Sequence, residues 1–237
     1  MKYRQKIYDS QFILSLKLYI YLKYMNRRLI CFGDSWTAGH GVETEKAYKE
    51  MPLVKEGKNF IDKLRNMNSW PRWVSDKLDC LFVNFGVCGN GNLQILQDIG
   101  EVKKAKFINE DDIVIVMLSY PYRFIHSSKM MVPEIFFKIE EELKGYKHFY
   151  FNSFFPTFQE EENFDYSTLP DCFINPTGCV SQLLEEYEEK HDVSVWEYGS
   201  RKVWKYKSEY QEGGFHPNLF GYKLIAEYIY NEIKDKI

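Results

Sequence analysis

Residues 29–35 read Leu29-Ile30-Cys31-Phe32-Gly33-Asp34-Ser35: four apolar residues, a glycine and two polar side chains. Similar apolar runs occupy residues 81–85, ending at Gly86, and residues 113–118, ending at Ser119. Residues 148–151 and 193–196 are weaker candidates of the same kind. Continuous apolar runs, unlike alternating ones, are typical of parallel strands that are covered on both faces. The runs therefore predict a central parallel sheet of about five strands.

Amphipathic segments separate the apolar runs. The clearest is the last one, in which apolar residues recur at helical spacing between residues 219 and 233, after Pro217 and a candidate N-cap, Asn218. Alternation of strands and helices predicts a doubly wound α/β fold, with helices on both faces of the sheet. The chain length and the lack of repeats or linkers favour one domain, covering residues 26–237.

The first 25 residues differ from the rest of the chain. A basic start and a fairly apolar run over residues 12–22 resemble a signal peptide in outline. Lys17 interrupts that run, however, and no cleavage site with small residues follows it. The run is also shorter than the roughly 20 apolar residues that a spanning helix needs. We therefore predict an amphipathic extension over residues 1–25, a cytoplasmic location and no stable membrane insertion.

Charge and cysteine content exclude several classes of protein. The formal net charge is −3, with acidic and basic residues spread along the chain, so no basic surface for nucleic acid is expected. Five cysteines at irregular spacing do not form a disulfide framework, and a reducing compartment is the simpler interpretation. A chain of this length can bury about 70% of its unfolded surface, so it needs neither disulfides nor a metal ion to hold a core.

Polar residues that suit catalysis follow the predicted strands. Ligands bind at the carboxyl ends of strands in open α/β sheets. Ser35 follows the first strand, glycines 86, 89 and 91 follow the second, and His216 precedes the last helix. A serine becomes nucleophilic when a base is within hydrogen-bond reach, and glycine-rich loops can offer N–H groups to an oxyanion. Taken singly, each segment could equally be a turn, a helix cap or a flexible loop.

Three blocks of sequence carry a family resemblance. They are Phe32-Gly33-Asp34-Ser35-Trp36-Thr37-Ala38-Gly39, Asn84-Phe85-Gly86-Val87-Cys88-Gly89-Asn90, and His216-Pro217-Asn218. In this order and spacing they resemble the blocks of the SGNH/GDSL hydrolase superfamily. The resemblance covers residues 27–237 and implies a flavodoxin-like three-layer α/β/α sandwich that hydrolyses esters or related acyl bonds without a cofactor.

The resemblance also implies roles for individual residues. Ser35 would be the nucleophile and, through its own N–H, one donor to the oxyanion. The N–H of Gly89 would be a second donor, and His216 would be the general base. His40 lies five residues after Ser35 and is more plausibly part of the pocket wall than the base.

The third block of the superfamily is not matched. Its usual Gly-x-Asn-Asp carries an Asn that completes the oxyanion hole, whereas here the third run is followed by Ser119 and no such Asn. Ser119 is the preferred substitute, with Asn90 or Asn92 as alternatives, and Arg123 is a candidate to bind an anionic part of the substrate. In this respect the chain resembles a subgroup often found in bacteriophage genomes.

The carboxylate partner of the base is also missing. The family pattern has Asp three residues before the His, but that position is Gly213. Loss of the carboxylate removes orientation and some basicity from the imidazole and leaves its proton-transfer role. A Ser35–His216 dyad is therefore predicted, with Glu212 as a minor candidate for the acid.

These residues predict an esterase, for example one that removes O-acetyl groups from a carbohydrate. Trp36 is a candidate to contact a sugar face. A transferase that passes the same acyl group to an alcohol or a sugar is an alternative. A catalytically inactive member of the fold that binds a glycan or a protein is another. No metal ion or cofactor is expected in any of these cases, and the partner is a small ester or a carbohydrate ester.

Overall fold

A computed structural model describes residues 27–40, 67–120, 132–154, 156–158, 164–196 and 216–237. The predicted extension at residues 1–25 lies outside these ranges and stays a prediction. Within the ranges, strands and helices alternate in the order β1 (Arg28–Gly33), α1 (Ser35–Ala38), α2 (Trp70–Leu78), β2 (Leu81–Gly86), α3 (Asn92–Lys104), β3 (Ile113–Leu118), α4 (Val132–Leu143), β4 (Lys147–Asn152), a 3₁₀ turn (Tyr166–Thr168), α5 (Val180–His191) and α6 (Leu219–Ile233).

The four strands form one parallel sheet in the order β2-β1-β3-β4. Register pairs Gly33 with Gly86 at the end of β1 and β2, and Leu118 with Asn152 at the end of β3 and β4. The carboxyl ends of all four strands therefore lie at one edge. This order matches the first four positions of the flavodoxin-like arrangement, so the predicted fold class is confirmed.

Helices cover both faces of the sheet, which makes three layers. Alternate side chains of β1 and β3 point to opposite faces: Leu29 and Ile113 pack in the core cluster formed with α2, α5 and α6. Ile30 and Val114 pack in the cluster formed with α3 and α4. Every residue of β1 and β3 is buried, as the continuous apolar runs predict. In contrast, β2 is half-buried along its whole length, because it is at the edge of the described sheet.

The prediction of about five strands is corrected for the described residues, where the sheet has four. Residues 193–196 make only an isolated antiparallel bridge, between Trp196 and Pro217. Beside β4, where a fifth strand would lie, Phe173 makes a single bridge to Tyr150. Turns at residues 171–172 and 176–177 flank Phe173, and the pairing with β4 is limited to this one bridge. None of the helices in the described ranges combines the length and the hydropathy needed to cross a bilayer.

The start of α6 fixes the segment that carries His216. Asn218 is its N-cap, as predicted: its side chain accepts a hydrogen bond from the Gly221 N–H at 2.9 Å. The Asn218 amide group also donates to the Ser194 carbonyl at 2.9 Å. A Cβ on Gly221 would lie 2.4 Å from the Val195 carbonyl oxygen, so only glycine permits this close approach. Residues 217 and 218, which follow His216, are therefore tied to the segment at residues 194–196.

Candidate active site

Ser35 is the first residue of α1, directly beyond the carboxyl end of β1. Asp34 caps this short helix, since its Oδ1 accepts the Trp36 N–H at 3.0 Å. Gly39 ends the helix in the left-handed conformation, with φ of 78°. Ser35 is 5% exposed, and its hydroxyl makes no hydrogen bond to any residue that the structure describes. The serine thus lies at the edge where ligands bind in open α/β sheets.

The approach of β1 and β2 to α1 depends on two glycines. A Cβ on Gly33 would lie 2.1 Å from Thr37 Oγ1, and one on Gly86 would lie 2.5 Å from the Ala38 nitrogen. Asn84 strengthens this contact, because its Nδ2 donates to the Thr37 carbonyl at 2.7 Å and its Oδ1 accepts the Gly86 N–H at 2.9 Å. These short distances hold the serine-bearing helix firmly on the ends of β1 and β2.

Gly89 lies on the exposed loop that follows β2. Its φ is +90°, a conformation that side-chain-bearing residues rarely adopt, and a Cβ there would meet nothing within 4 Å. The space above Gly89 is therefore open to a ligand. The neighbouring Asn90 donates from Nδ2 to Asp98 Oδ2 at 2.9 Å. Burial raises the pKa of Asp98, and the Asn90 hydrogen bond partly opposes that shift.

A buried polar network joins three strand ends beneath the site. Ser119 Oγ donates to Asp34 Oδ2 at 2.7 Å. Asn92, the first residue of α3, accepts the Ser119 N–H at 2.8 Å and donates to the Ser119 carbonyl at 3.3 Å. All three residues are at most 4% exposed. The predicted candidates for the missing oxyanion donor, Ser119 and Asn92, thus use these groups to hold the loops after β1 and β3.

A pair of histidines is the feature that the sequence did not reveal. His40 Nδ1 lies 3.1 Å from His216 Nε2, and the two ring centroids are 4.2 Å apart. His40 is fixed to the serine helix, because its backbone N–H donates to the Ser35 carbonyl at 2.9 Å. The Tyr222 hydroxyl donates to the His40 carbonyl at 2.7 Å and so ties this residue to α6. His216 therefore reaches the serine segment, but its Nε2 faces His40.

This contact constrains the protons of the pair. Two imidazole nitrogens 3.1 Å apart attract each other only if one carries a hydrogen and the other a lone pair. Fully protonated rings would place two N–H groups and two positive charges against each other. One proton between His40 Nδ1 and His216 Nε2 is thus the stable state of the contact.

The other predicted residues divide into two groups. Trp36 is fully buried and packs against Phe154, with ring centroids 4.4 Å apart, and against Trp196 at 5.9 Å. The structure thus gives Trp36 a packing role, with no exposed face for a sugar. Arg123 and Glu212 lie outside the described residues, and their predicted roles stay predictions.

Comparison with protein-family models and with curated proteins gave no match. Solved structures are similar to this chain. One is a member of the lipolytic G-D-S-L family from Veillonella parvula, 16% identical, with 89% of this chain and 100% of that chain covered and a TM-score of 0.44. A carbohydrate acetylesterase from Sinorhizobium meliloti is 13% identical, with 89% and 100% covered and a TM-score of 0.43.

A family two carbohydrate esterase from Clostridium thermocellum, in complex with cellohexaose, is also similar. It is 15% identical, with 89% of this chain and 64% of that chain covered and a TM-score of 0.44. At these identities and TM-scores the likeness carries no activity over to this chain.

Proposed function

We propose that this protein is a serine hydrolase that cleaves carboxylic esters, with Ser35 as the nucleophile. One observation carries the proposal: a buried serine at the carboxyl edge of the sheet begins a short helix, and one member of a histidine pair follows that helix and donates its backbone N–H to the serine carbonyl. A helix cap alone would account for Asp34 but not for a histidine pair that is tied to the Ser35 carbonyl through the His40 backbone. The motif resemblance assigns the same serine and the same His216.

We assign the base to the His40–His216 pair as a unit. In serine hydrolases a carboxylate usually orients the base and stabilises the imidazolium that forms. Here position 213, where the family pattern has that carboxylate, is glycine, and a second imidazole contacts His216 instead. A neutral imidazole can accept a hydrogen bond from an imidazolium and so share its charge. His40 is then the partner that the missing carboxylate would otherwise be.

The proposed reaction follows from these roles. Ser35 Oγ attacks the ester carbonyl carbon, and its proton moves to the histidine pair. The carbonyl oxygen becomes an oxyanion, which accepts hydrogen bonds from the Gly89 and Ser35 N–H groups. The pair returns the proton to the departing alcohol, which leaves an acyl group on Ser35. Water then repeats the sequence and releases the carboxylic acid. A carbohydrate carrying O-acetyl groups is the first substrate class to test.

Turnover of p-nitrophenyl acetate by wild type and Ser35→Ala tests the nucleophile. We expect Ser35→Ala to lose at least about a thousandfold in kcat, since loss of the nucleophile leaves only the oxyanion donors. Labelling of wild type by a fluorophosphonate probe, and none of Ser35→Ala, is the second expected result. Ser153→Ala, another buried serine after a strand, is the matched control and should keep both. Equal turnover by Ser35→Ala and wild type would exclude this mechanism.

Variants of the pair separate its two members. His216→Ala should lose activity as Ser35→Ala does. His40→Phe keeps a ring but removes Nδ1, whereas His40→Asn keeps a hydrogen-bonding atom close to that position. We therefore expect His40→Asn to retain more kcat than His40→Phe, with similar KM values. If His40→Phe has wild-type kcat and an unchanged pH profile, the pair is not the base.

A further inference from the structure

Three side chains with metal-binding atoms meet near the amino ends of the strands, at the end of the sheet opposite Ser35. Glu140 is in α4, His148 is the second residue of β4, and Cys172 follows the 3₁₀ turn. One ligand atom from each lies within 4.8 Å of the other two. This Glu140–His148–Cys172 cluster is next to the amino end of β4, whereas Ser35 follows the carboxyl end of β1. It therefore belongs to a different site from the serine and the histidine pair.

His148 is oriented as a metal ligand would be. Its Nδ1 lies 2.8 Å from the Tyr146 carbonyl oxygen, which can only accept, so Nδ1 carries a hydrogen. Metal-binding histidines usually donate the hydrogen of their second nitrogen to a carbonyl or a carboxylate in this way. The other nitrogen, Nε2, lies 2.9 Å from Glu140 Oε2. A carboxylate also only accepts, so this contact requires either a proton or a cation at Nε2.

A buried hydroxyl beside the cluster has no hydrogen-bond partner. Tyr150 is fully buried, and its hydroxyl oxygen is among the unsatisfied buried polar atoms in the described part of the chain. Its ring centroid is 5.2 Å from that of His148. An unsatisfied buried polar group needs an explanation, and a bound ion or its water ligand provides one.

We propose that Glu140, His148 and Cys172 bind one divalent transition-metal ion, with zinc as the best fit. Carboxylate oxygen, imidazole nitrogen and thiolate sulfur are the three ligand types that zinc accepts. Bond lengths of about 2.0–2.3 Å place the ligand atoms of a tetrahedral ion roughly 3.3–3.8 Å apart. The three ligand atoms already lie within 4.8 Å of one another, so side-chain shifts of about 1 Å bring them onto one ion. The fourth tetrahedral position goes to a water molecule beside the Tyr150 hydroxyl.

Binding exchanges protons for the ion. The proton held between His148 Nε2 and Glu140 Oε2 and the Cys172 thiol proton are released, so M²⁺ enters as two protons leave. The ion would connect α4, β4 and the segment after the 3₁₀ turn, which meets β4 at the bridge of Phe173 and Tyr150 and at the hydrogen bonds from Asn152 to the Pro176 and Gly178 carbonyls. Its role is therefore to hold that segment on the sheet. The site does not depend on the proposed esterase activity.

Cobalt provides the direct test, because a thiolate–Co²⁺ bond gives a near-ultraviolet charge-transfer band and a tetrahedral site gives visible bands. The full chain, treated with EDTA and titrated with Co²⁺ alone, should develop both bands at one ion per chain. Zn²⁺ should then abolish them, since it binds such sites more tightly than Co²⁺. Ser35→Ala should bind as wild type does, which separates this site from the active site.

Variants locate the ligands. Cys172→Ser should lose the thiolate band, and His148→Gln should lose binding, each with folding checked by circular dichroism. Cys88→Ser, which removes the exposed cysteine at the opposite edge, should keep the band. Absence of a thiolate band in wild type overturns the proposal and leaves a His148–Glu140 ion pair. Persistence of the band in Cys172→Ser, or its loss in Cys88→Ser, also overturns it.

Discussion

Replacement of Ser119 by alanine separates two roles that one hydroxyl could play. The Ser119 Oγ–H donates to the buried Asp34 carboxylate at 2.7 Å. A hydrogen bond to a charged group contributes about 1.5–3 kcal/mol. For a chain of this size each kcal/mol changes Tm by about 2–4 °C, so Ser119→Ala should lower Tm by about 3–12 °C. Because the hydroxyl hydrogen is directed at Asp34, we expect kcat to fall by less than about tenfold.

Ser153→Ala is the matched control for this experiment. Ser153 is also buried directly after a strand, but its Oγ donates to the neutral Leu118 carbonyl at 2.8 Å. Neutral hydrogen bonds contribute about 0.5–1.5 kcal/mol, so the expected loss of Tm is about half as large or less. Thermal unfolding by circular dichroism and p-nitrophenyl acetate turnover measure both quantities on the same samples.

The opposite pattern would refute this reasoning. Loss of one oxyanion donor costs about 10²–10³ in kcat. If Ser119→Ala lost that much activity and kept the wild-type Tm, its hydroxyl would be the third oxyanion donor and not a support for Asp34. A double-mutant cycle with Asp34→Asn gives a second check, since residues in one network couple by about 0.5–3 kcal/mol. Additive losses of stability would contradict the network.

Three further predictions concern packing, a buried ion pair and thiol reactivity. Gly86→Ala places a Cβ 2.5 Å from the α1 backbone and should cost about 1–3 kcal/mol in urea unfolding, whereas Gly100→Ala, with nothing within 4 Å, should stabilise by up to about 1 kcal/mol. Equal effects would contradict the close approach. Asp112→Ala leaves Arg28, its partner in a buried ion pair, without a carboxylate, and should lower the free energy of unfolding by about 3–5 kcal/mol in the same assay. A change under about 1 kcal/mol would contradict the burial of this pair. In the metal-free protein, iodoacetamide at pH 8 should alkylate exposed Cys88 first, because burial raises the pKa of Cys172 to about 12 and so keeps it a thiol. Peptide mass mapping of the labelled native protein measures the order of alkylation. Faster labelling of Cys172 than of Cys88 would contradict this prediction.

Sequence alone predicted the parts of the fold that local patterns determine. Continuous apolar runs identified the buried strands β1 and β3, and the Asn218 cap identified the start of α6. The same pattern failed at residues 193–196, where the one residue that pairs, Trp196, bridges Pro217 instead of joining the described sheet. Whether a short apolar run pairs with a strand depends on what lies beside it, and composition does not contain that information.

The candidate site, like the fold, could be predicted from sequence only where a local pattern determines it. The motifs indicated Ser35, Gly89 and His216, because a strand end, a positive-φ turn and a helix start each have a local signature. They did not indicate that the Ser119 hydroxyl is directed at Asp34, 85 residues away, or that Trp36 is buried against Phe154. Each of those facts depends on contacts between segments that are distant in sequence. The Glu140–His148–Cys172 cluster was not predicted from the sequence for the same reason, since its members come from three separate segments.

His40 has a local signature that can be recognised once the structure is known. Gly39 adopts the left-handed conformation that ends α1, and the chain then reverses, so that the His40 N–H returns to the Ser35 carbonyl. A histidine directly after such a glycine is held at the same edge as the serine that begins the helix. Two features of the sequence therefore belong together: the pattern Ser-x-x-x-Gly-His at residues 35–40 and the glycine at position 213. The chain lacks a carboxylate where the family pattern has one, and it has an additional imidazole in contact with His216, the residue that the resemblance makes the base.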